Sequence, residues 1–496
     1  MRGPRRTITW NAASAFASQA TSAAFTAVLT LYLTRALSPS GYGVLGIAGA
    51  VGGLVLLPAD FGVSQSSARF VAEHRDDPAE AAGVVGGAVR LKVITVACGV
   101  LLFGLSQPIA AAYGTQDLVW PLRAIAISMV AQSFMNTFCY GLSSLTRTSL
   151  TLPVYFVQSA LETGLGIGLV ALGGGAAGAV FGRAIGYTVA AAFGAILVMR
   201  ALGRTLAPRS AAARRWDRVV LRYGGALVVV DSAFTLFNQV DVLLIGLLLD
   251  ARAVGLYVAP FRLLSFLSLP ANAVSTGIGP RMAAVRGIRP DARYLVVGSQ
   301  VVAYVQLAAL PPVILWPTPI ARTLFGADFS DSGAVLRAFA PFVFLVGFGV
   351  LFSISANFLG QARARAPVAI GTAALAIVAD LILIPTVGVT GAAIATDIAY
   401  AFYAPAHVWI CRRAVPFALS PLVRACVRGA LAAAAMGGVM VLVAGTEPSL
   451  PAMLGGYGLG VCAYALVLLI SGALSELKRL VRAPDGSPTN SEGTPG

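Results

Sequence analysis

Apolar residues run along this chain in stretches of about 20, divided by short breaks that carry Gly, Pro or charge, the length at which an α-helix crosses the hydrocarbon of a bilayer. The breaks predict fourteen spans, at 12–34, 42–68, 84–111, 119–143, 151–172, 176–199, 219–248, 253–280, 294–316, 335–359, 367–385, 389–411, 421–444 and 452–474. No stretch alternates polar and apolar residues at every second position, which argues against a barrel. Beyond residue 475 the pattern stops, and the segment 476–496, rich in Pro, Ser and Gly, reads as a disordered cytoplasmic tail.

Composition agrees with this pattern. A chain of 496 residues that is 57% hydrophobic and 11% charged, with mean hydropathy +0.82, has too few polar residues to coat a water-soluble globule of its size. The fold class is therefore an all-α integral membrane protein. A net charge of +15 raises the question of nucleic acid, but no soluble domain exists to carry a basic face. The charges sort by side instead. Twenty-eight of the 35 Lys and Arg fall at alternate ends of the spans, including Arg69, Arg75, Arg90 and Lys92 after the second span and seven arginines between 200 and 222. The positive-inside rule then puts both termini in the cytoplasm. Arg35, Arg123, Arg252, Arg322 and Arg337 lie near the opposite ends, and Arg183 and Arg262 lie within spans.

The five cysteines stand singly, and His74 and His407 are the only histidines. Neither a metal site, a disulfide framework nor histidine catalysis is supported. The opposite-side loops are short and hold no cluster of the kind an enzyme needs, so a membrane polymerase or glycosyltransferase is the weakest functional reading. The N-terminal "MRGPRRTITW" leads into a long stretch that begins polar, unlike a cleaved signal, and is read as a retained first helix.

The chain also repeats. Shifted by 212 residues, Leu37 meets Leu249, Gly43 meets Gly255, Pro58 meets Pro270, and Arg69 meets Arg281; shifted by 213, Gly175 meets Gly388 and Tyr187 meets Tyr400. Six spans per unit give two parallel repeats. The expected division is an N-lobe at 1–210, a C-lobe at 211–415 and two appended helices at 416–475. A transport path between the lobes follows from that arrangement, and the matched prolines mark plausible bending points.

Charge inside a span needs a partner, a proton or water. Asp241 and Arg262 stand nine residues before Asp250 and ten after Arg252, which puts both about 13–15 Å from the same ends of adjacent helices. By the same rise Glu162 and Arg183 form a looser pair about 13–18 Å deep. Asp380 and Asp397 share a depth of about 12–13 Å with no basic residue in either helix, and Thr396 adds a hydroxyl. Two readings stay open: Asp241 pairs with Arg262, or it joins Asp380, Thr396 and Asp397 in a cation or proton site.

The phrases "LTRALSPSGYGVLGIA", "ADFGVSQSSARFVAEHR", "NQVDVLLIGLLLDARAVGLYVAPFRLL", "LFGADF" and "LILIPTVGVTGAAIAT" resemble bacterial polysaccharide flippases of the multidrug/oligosaccharidyl-lipid/polysaccharide exporter superfamily, over about residues 8 to 480. The resemblance implies a transporter in the cytoplasmic membrane. It would carry an undecaprenyl-diphosphate-linked oligosaccharide from the inner to the outer leaflet by alternating access, for cell-surface polysaccharide synthesis. No cofactor is implied, with sodium or proton coupling left open. Implied partners are the lipid-linked oligosaccharide, membrane lipids and a polysaccharide polymerase or glycosyltransferases. Relatives in the superfamily flip lipid II or export drugs with cation coupling, and both remain alternatives. For a diphosphate the candidate ligands are Arg262, Arg183 and Arg35, because a guanidinium keeps its charge and bonds phosphate oxygens in pairs.

Overall fold

The computed structural model describes residues 4–203, 206, 211–282, 291–473 and 475–476. The side chains of Asp231 and Arg281, the segment 283–290 and the tail 477–496 fall outside that description, and with them the sequence readings placed there. Among the described residues the regular structure is helical, with no strand. In chain order the helices are α1 (Pro4–Ala36), α2 (Pro39–Asp60), α3 (Val63–Glu73), α4 (Pro78–Leu91), α5 (Val93–Gly104), α6 (Ser106–Ala112), α7 (Val119–Ser144), α8 (Thr151–Leu169), α9 (Gly175–Leu202) and α10 (Ala211–Leu248). They continue as α11 (Ala251–Ser265), α12 (Ser268–Met282), α13 (Ala292–Leu315), α14 (Pro317–Phe325), α15 (Ser332–Ala338), α16 (Ala340–Phe358), α17 (Ala362–Val387), α18 (Val389–Ala414), α19 (Ser420–Ala444) and α20 (Leu450–Ile470).

Helix starts follow from local chemistry. Ser38 accepts the Gly41 N–H ahead of Pro39 in α2, Asp250 accepts the Ala253 N–H at 2.7 Å, and Asp291 accepts the Arg293 N–H at 2.9 Å. Each predicted span lies largely on helix, but several are broken. The second bends at Phe61, whose φ of 48° is left-handed without being glycine, three residues after Pro58. Such a conformation costs about 1–3 kcal/mol and persists only where surrounding packing holds it. The third breaks at Lys92 and the eighth between Ser265 and Ser268.

Ten helical stretches among the described residues are long and apolar enough to cross a membrane, one of them, Thr148–Leu202, being α8 and α9 together. Their exteriors carry large exposed apolar side chains such as Val100, Leu431, Leu442, Leu454 and Ile470, which suit lipid and not water. The protein is a multi-pass membrane protein.

Two compact units are present. The first comprises Met1–Phe266, Ala321–Ala338 and Ala369–Ala399; the second comprises Leu267–Ile320, Phe339–Val368 and Tyr400–Gly496. In the first, residues such as Val63, Val84, Phe138, Val198 and Trp216 form one core. In the second, Leu295, Trp316, Phe352, Met436 and Tyr464 do so.

Candidate functional site

All the membrane-embedded candidates lie in the first unit, and they fall into three separate places. The first is an acid site. Asp241 on α10 is buried, and its Oδ2 accepts a hydrogen bond from the Tyr257 hydroxyl of α11. Thr396 Oγ1 of α18 lies 2.7 Å from the same oxygen and 3.0 Å from the Tyr257 hydroxyl. Asp380 of α17, wholly buried, lies within hydrogen-bonding reach of Asp241. Asp241 Oδ1 and both oxygens of Asp380 have no donor. Three buried acceptor oxygens facing one another are stable only with a proton or a cation among them. The set Asp241, Asp380, Thr396 and Tyr257 supplies hard oxygen ligands of the kind such an ion takes. Asp397 is also buried, about 100° around α18 from Thr396. Among the described residues, no group of three His, Cys, Asp or Glu is placed to hold a metal ion.

Of the partners that the sequence offered Asp241, the structure brings Thr396 and Asp380 to it, and among the described contacts there is no ion pair with Arg262. Depth placed Arg262 opposite Asp241, but depth ignores direction. Five residues separate Tyr257 from Arg262, about 140° around the helix, so the face of α11 that presents Tyr257 to the acid turns Arg262 elsewhere.

Arg262 instead lines the second place, a cavity of about 330 Å³. Its guanidinium carbon lies 5.7 Å from the centre of the Tyr42 ring. Arg183 of α9 lines the same cavity, with Gln132, Ser128, Asn238 and Gln239 supplying neutral polar groups and the glycine-rich face of α2 keeping it open. Arg183 is loosely held: Nη2 is 3.5 Å from Gln132 Oε1, Nε is 4.0 Å from Glu162 Oε1, and the guanidinium stands 5.3 Å from the Tyr187 ring. The Glu162–Arg183 pair read from depth is thus present but weak, leaving donor capacity at Arg183. Among the described residues no carboxylate lines the cavity. Arg35 is not brought to it; its Nη2 donates to the Thr323 carbonyl at 2.7 Å.

The third place corrects the charge count. Lys92, counted from sequence among the basic residues at cytoplasmic span ends, is wholly buried where α4 meets α5. Its ammonium pairs with Asp60 at the end of α2 and donates to Ser64 Oγ at 2.8 Å and Ser133 Oγ at 2.7 Å. Ser64 also gives Asp60 its N–H at 3.1 Å and its hydroxyl at 2.9 Å, and Thr137 lies 2.9 Å from that hydroxyl. Three acceptors for three ammonium protons cover the desolvation that ordinarily keeps lysine at a surface.

Sequence reasoning missed Tyr257, the cavity amides and Lys92. Depth alone did not point to Tyr257, which stands five residues after Arg252, about 7.5 Å deep against about 13.5 Å for Asp241. Lys92 did carry a signal: it is one of two lysines among 35 basic residues.

The sequence pattern of the family described as "Polysaccharide biosynthesis protein" matches residues 8–285, more than half the chain. The chain belongs to this family. A similar curated protein is the probable low-salt glycan biosynthesis flippase Agl15 of Haloferax volcanii, 24% identical over 380 residues, which are 76% of this chain and 77% of that protein. Among solved structures, the inward closed conformation of the lipid II flippase MurJ matches with a TM-score of 0.73 at 14% identity, covering 94% of this chain and 99% of that one. The inward-facing conformation of a multidrug resistance transporter of the MATE family matches with a TM-score of 0.60 at 16% identity, covering 81% and 95%. The last two show a shared fold. Family and fold together make the chain a transporter of the flippase superfamily recognised in its sequence, and not an enzyme.

Proposed function

We propose that the protein flips an undecaprenyl-diphosphate-linked oligosaccharide from the cytoplasmic to the outer leaflet of a bacterial plasma membrane, with both termini cytoplasmic. The observation that carries this reading is the cavity: two arginines from α9 and α11, neutral amides and, among the described residues, no carboxylate. A diphosphate satisfies both guanidiniums, and amides suit sugar hydroxyls. A drug exporter for organic cations needs the opposite charge. The likeness to a glycan biosynthesis flippase supports a glycan as the cargo.

The lobes 1–210 and 211–415 would exchange access around this cavity, and the Asp241–Asp380–Thr396 set would couple the exchange to sodium or protons. A polymerase or glycosyltransferase would then use the delivered glycan. Arg262→Ala should abolish translocation of lipid-linked oligosaccharide in reconstituted vesicles without loss of membrane insertion. Arg262→Lys should recover part of it, because hydrogen bonds to charged groups are worth about 1.5–3 kcal/mol, about 10- to 150-fold, and lysine keeps the charge without the planar fork. Wild-type transport by Arg262→Ala would remove the arginine cavity as the substrate site.

A further inference from the structure

Arg35, Tyr42 and residues 321–338 meet at one end of the first unit. There α2 and α11, the helices that the 212-residue repeat equates, touch main chain to main chain. A side chain on Gly43 would strike the backbone of Ala251 and Gly255, and one on Gly255 would strike the backbone of Pro39. The contact is reciprocal, as a pseudo-twofold requires, and only hydrogen at both positions permits it.

Residues 321–338 attach to both helices of this crossing, but unequally. To α11 they are held by the wholly buried Ser332, whose hydroxyl donates to the Leu256 carbonyl at 2.9 Å, and by Arg252, which pairs with Asp331 at 3.1 Å. To the other side they are held by the exposed Arg35, which donates to the Thr323 carbonyl. The edge of Tyr42 against Phe329, with centroids 6.1 Å apart, adds to that side. The sequence had offered Arg35 as a substrate ligand; its single acceptor here is main chain.

We infer that residues 321–338 are a strap closing the outer end of the transport path, that the strap moves with α11, and that Arg35 is the latch joining it to α1 and α2. When α2 and α11 part at the glycine crossing, the Arg35–Thr323 contact breaks and the Ser332 and Asp331 contacts stay. The inference rests on the alternating-access reading for its direction of movement, and it assigns Arg35 to gating instead of cargo binding.

Two cysteine pairs test it in a background whose native cysteines are replaced by alanine. Arg35→Cys with Thr323→Cys spans the latch, and Arg252→Cys with Asp331→Cys spans the anchor. Each is bridged by a reducible bis-methanethiosulfonate about as long as the lost side chain. A Ser128→Cys probe in the cavity reports outer access to a membrane-impermeant maleimide. Bridging the latch should cut both labelling and transport at least tenfold, restored by reductant, while bridging the anchor should leave both within twofold. Arg35→Gln should raise outer labelling several-fold. Normal labelling with the latch bridged, or arrest with the anchor bridged, overturns the strap. If labelling responds as expected but no lipid-linked oligosaccharide moves in any variant, the strap stands and the assigned cargo falls.

Discussion

Asp60, part-buried, and Asp241, buried, both stand in helices of the first unit, and they are treated in opposite ways. Around Asp60 every group is answered: Lys92, Ser64 and Ser133 all reach its oxygens, and each ammonium proton has an acceptor. Around Asp241 one oxygen is answered by Tyr257 and Thr396, while the other, with both oxygens of Asp380, lacks a donor. The first site carries its cation on its own chain and cannot release it. The second has the same chemistry without the tether, as an exchangeable ion requires. Burial of an acid in a membrane helix therefore does not by itself mark coupling; what separates the two sites is whether a compensating cation is tethered to the chain.

The strongest way to break this contrast is at Lys92. Lys92→Met leaves the Asp60 carboxylate without its cation and should cost about 3–5 kcal/mol, whereas Asp60→Leu combined with Lys92→Met should recover most of it. Thermal unfolding in detergent gives the comparison, and a single mutant as stable as the wild type would show that Asp60 needs no tethered cation.

The acid pair should respond the other way. A cation bound at about 100 times its dissociation constant stabilises the folded state by about 2.7 kcal/mol, so wild-type melting should rise with sodium at fixed pH, or with proton concentration at fixed sodium. Asp380→Asn places an N–H among the orphan oxygens and should abolish that rise, and the gradient dependence of transport, without lowering stability. Melting that ignores both ions would leave Asp241 and Asp380 sharing a fixed proton. The smallest effect belongs to Thr396→Val, which removes one hydroxyl contact worth about 1 kcal/mol; ion affinity should weaken about fivefold with transport otherwise retained.

Much of the fold was legible because a bilayer imposes a length on every span, and that length survives any uncertainty in packing. The same one-dimensional reading brought Asp241, Asp380 and Thr396 to one depth. It failed where direction around a helix decides contact, as with Arg262, which shares the depth of Asp241 and faces a different space. It failed again at Lys92, since the charge rule counts residue types near span ends and has no knowledge of an acid and two serines waiting across three helices. The break at Phe61 was legible in part, since Pro58 precedes it and Gly62, also left-handed with a φ of 64°, follows it, but nothing in the sequence singles out the phenylalanine between them.

The spacing of these partners along the chain has a consequence for how the protein is made. Asp60 precedes Lys92 by 32 residues, and Ser133 follows Lys92 by 41, so the tethered ion pair is assembled from neighbours that leave the ribosome close together. Asp241 waits 155 residues for Thr396, about 8–30 s at ordinary rates of synthesis. Throughout that interval an acid has entered the membrane without the helices that shelter it, and the insertion machinery or an early proton must bear the charge until α17 and α18 arrive.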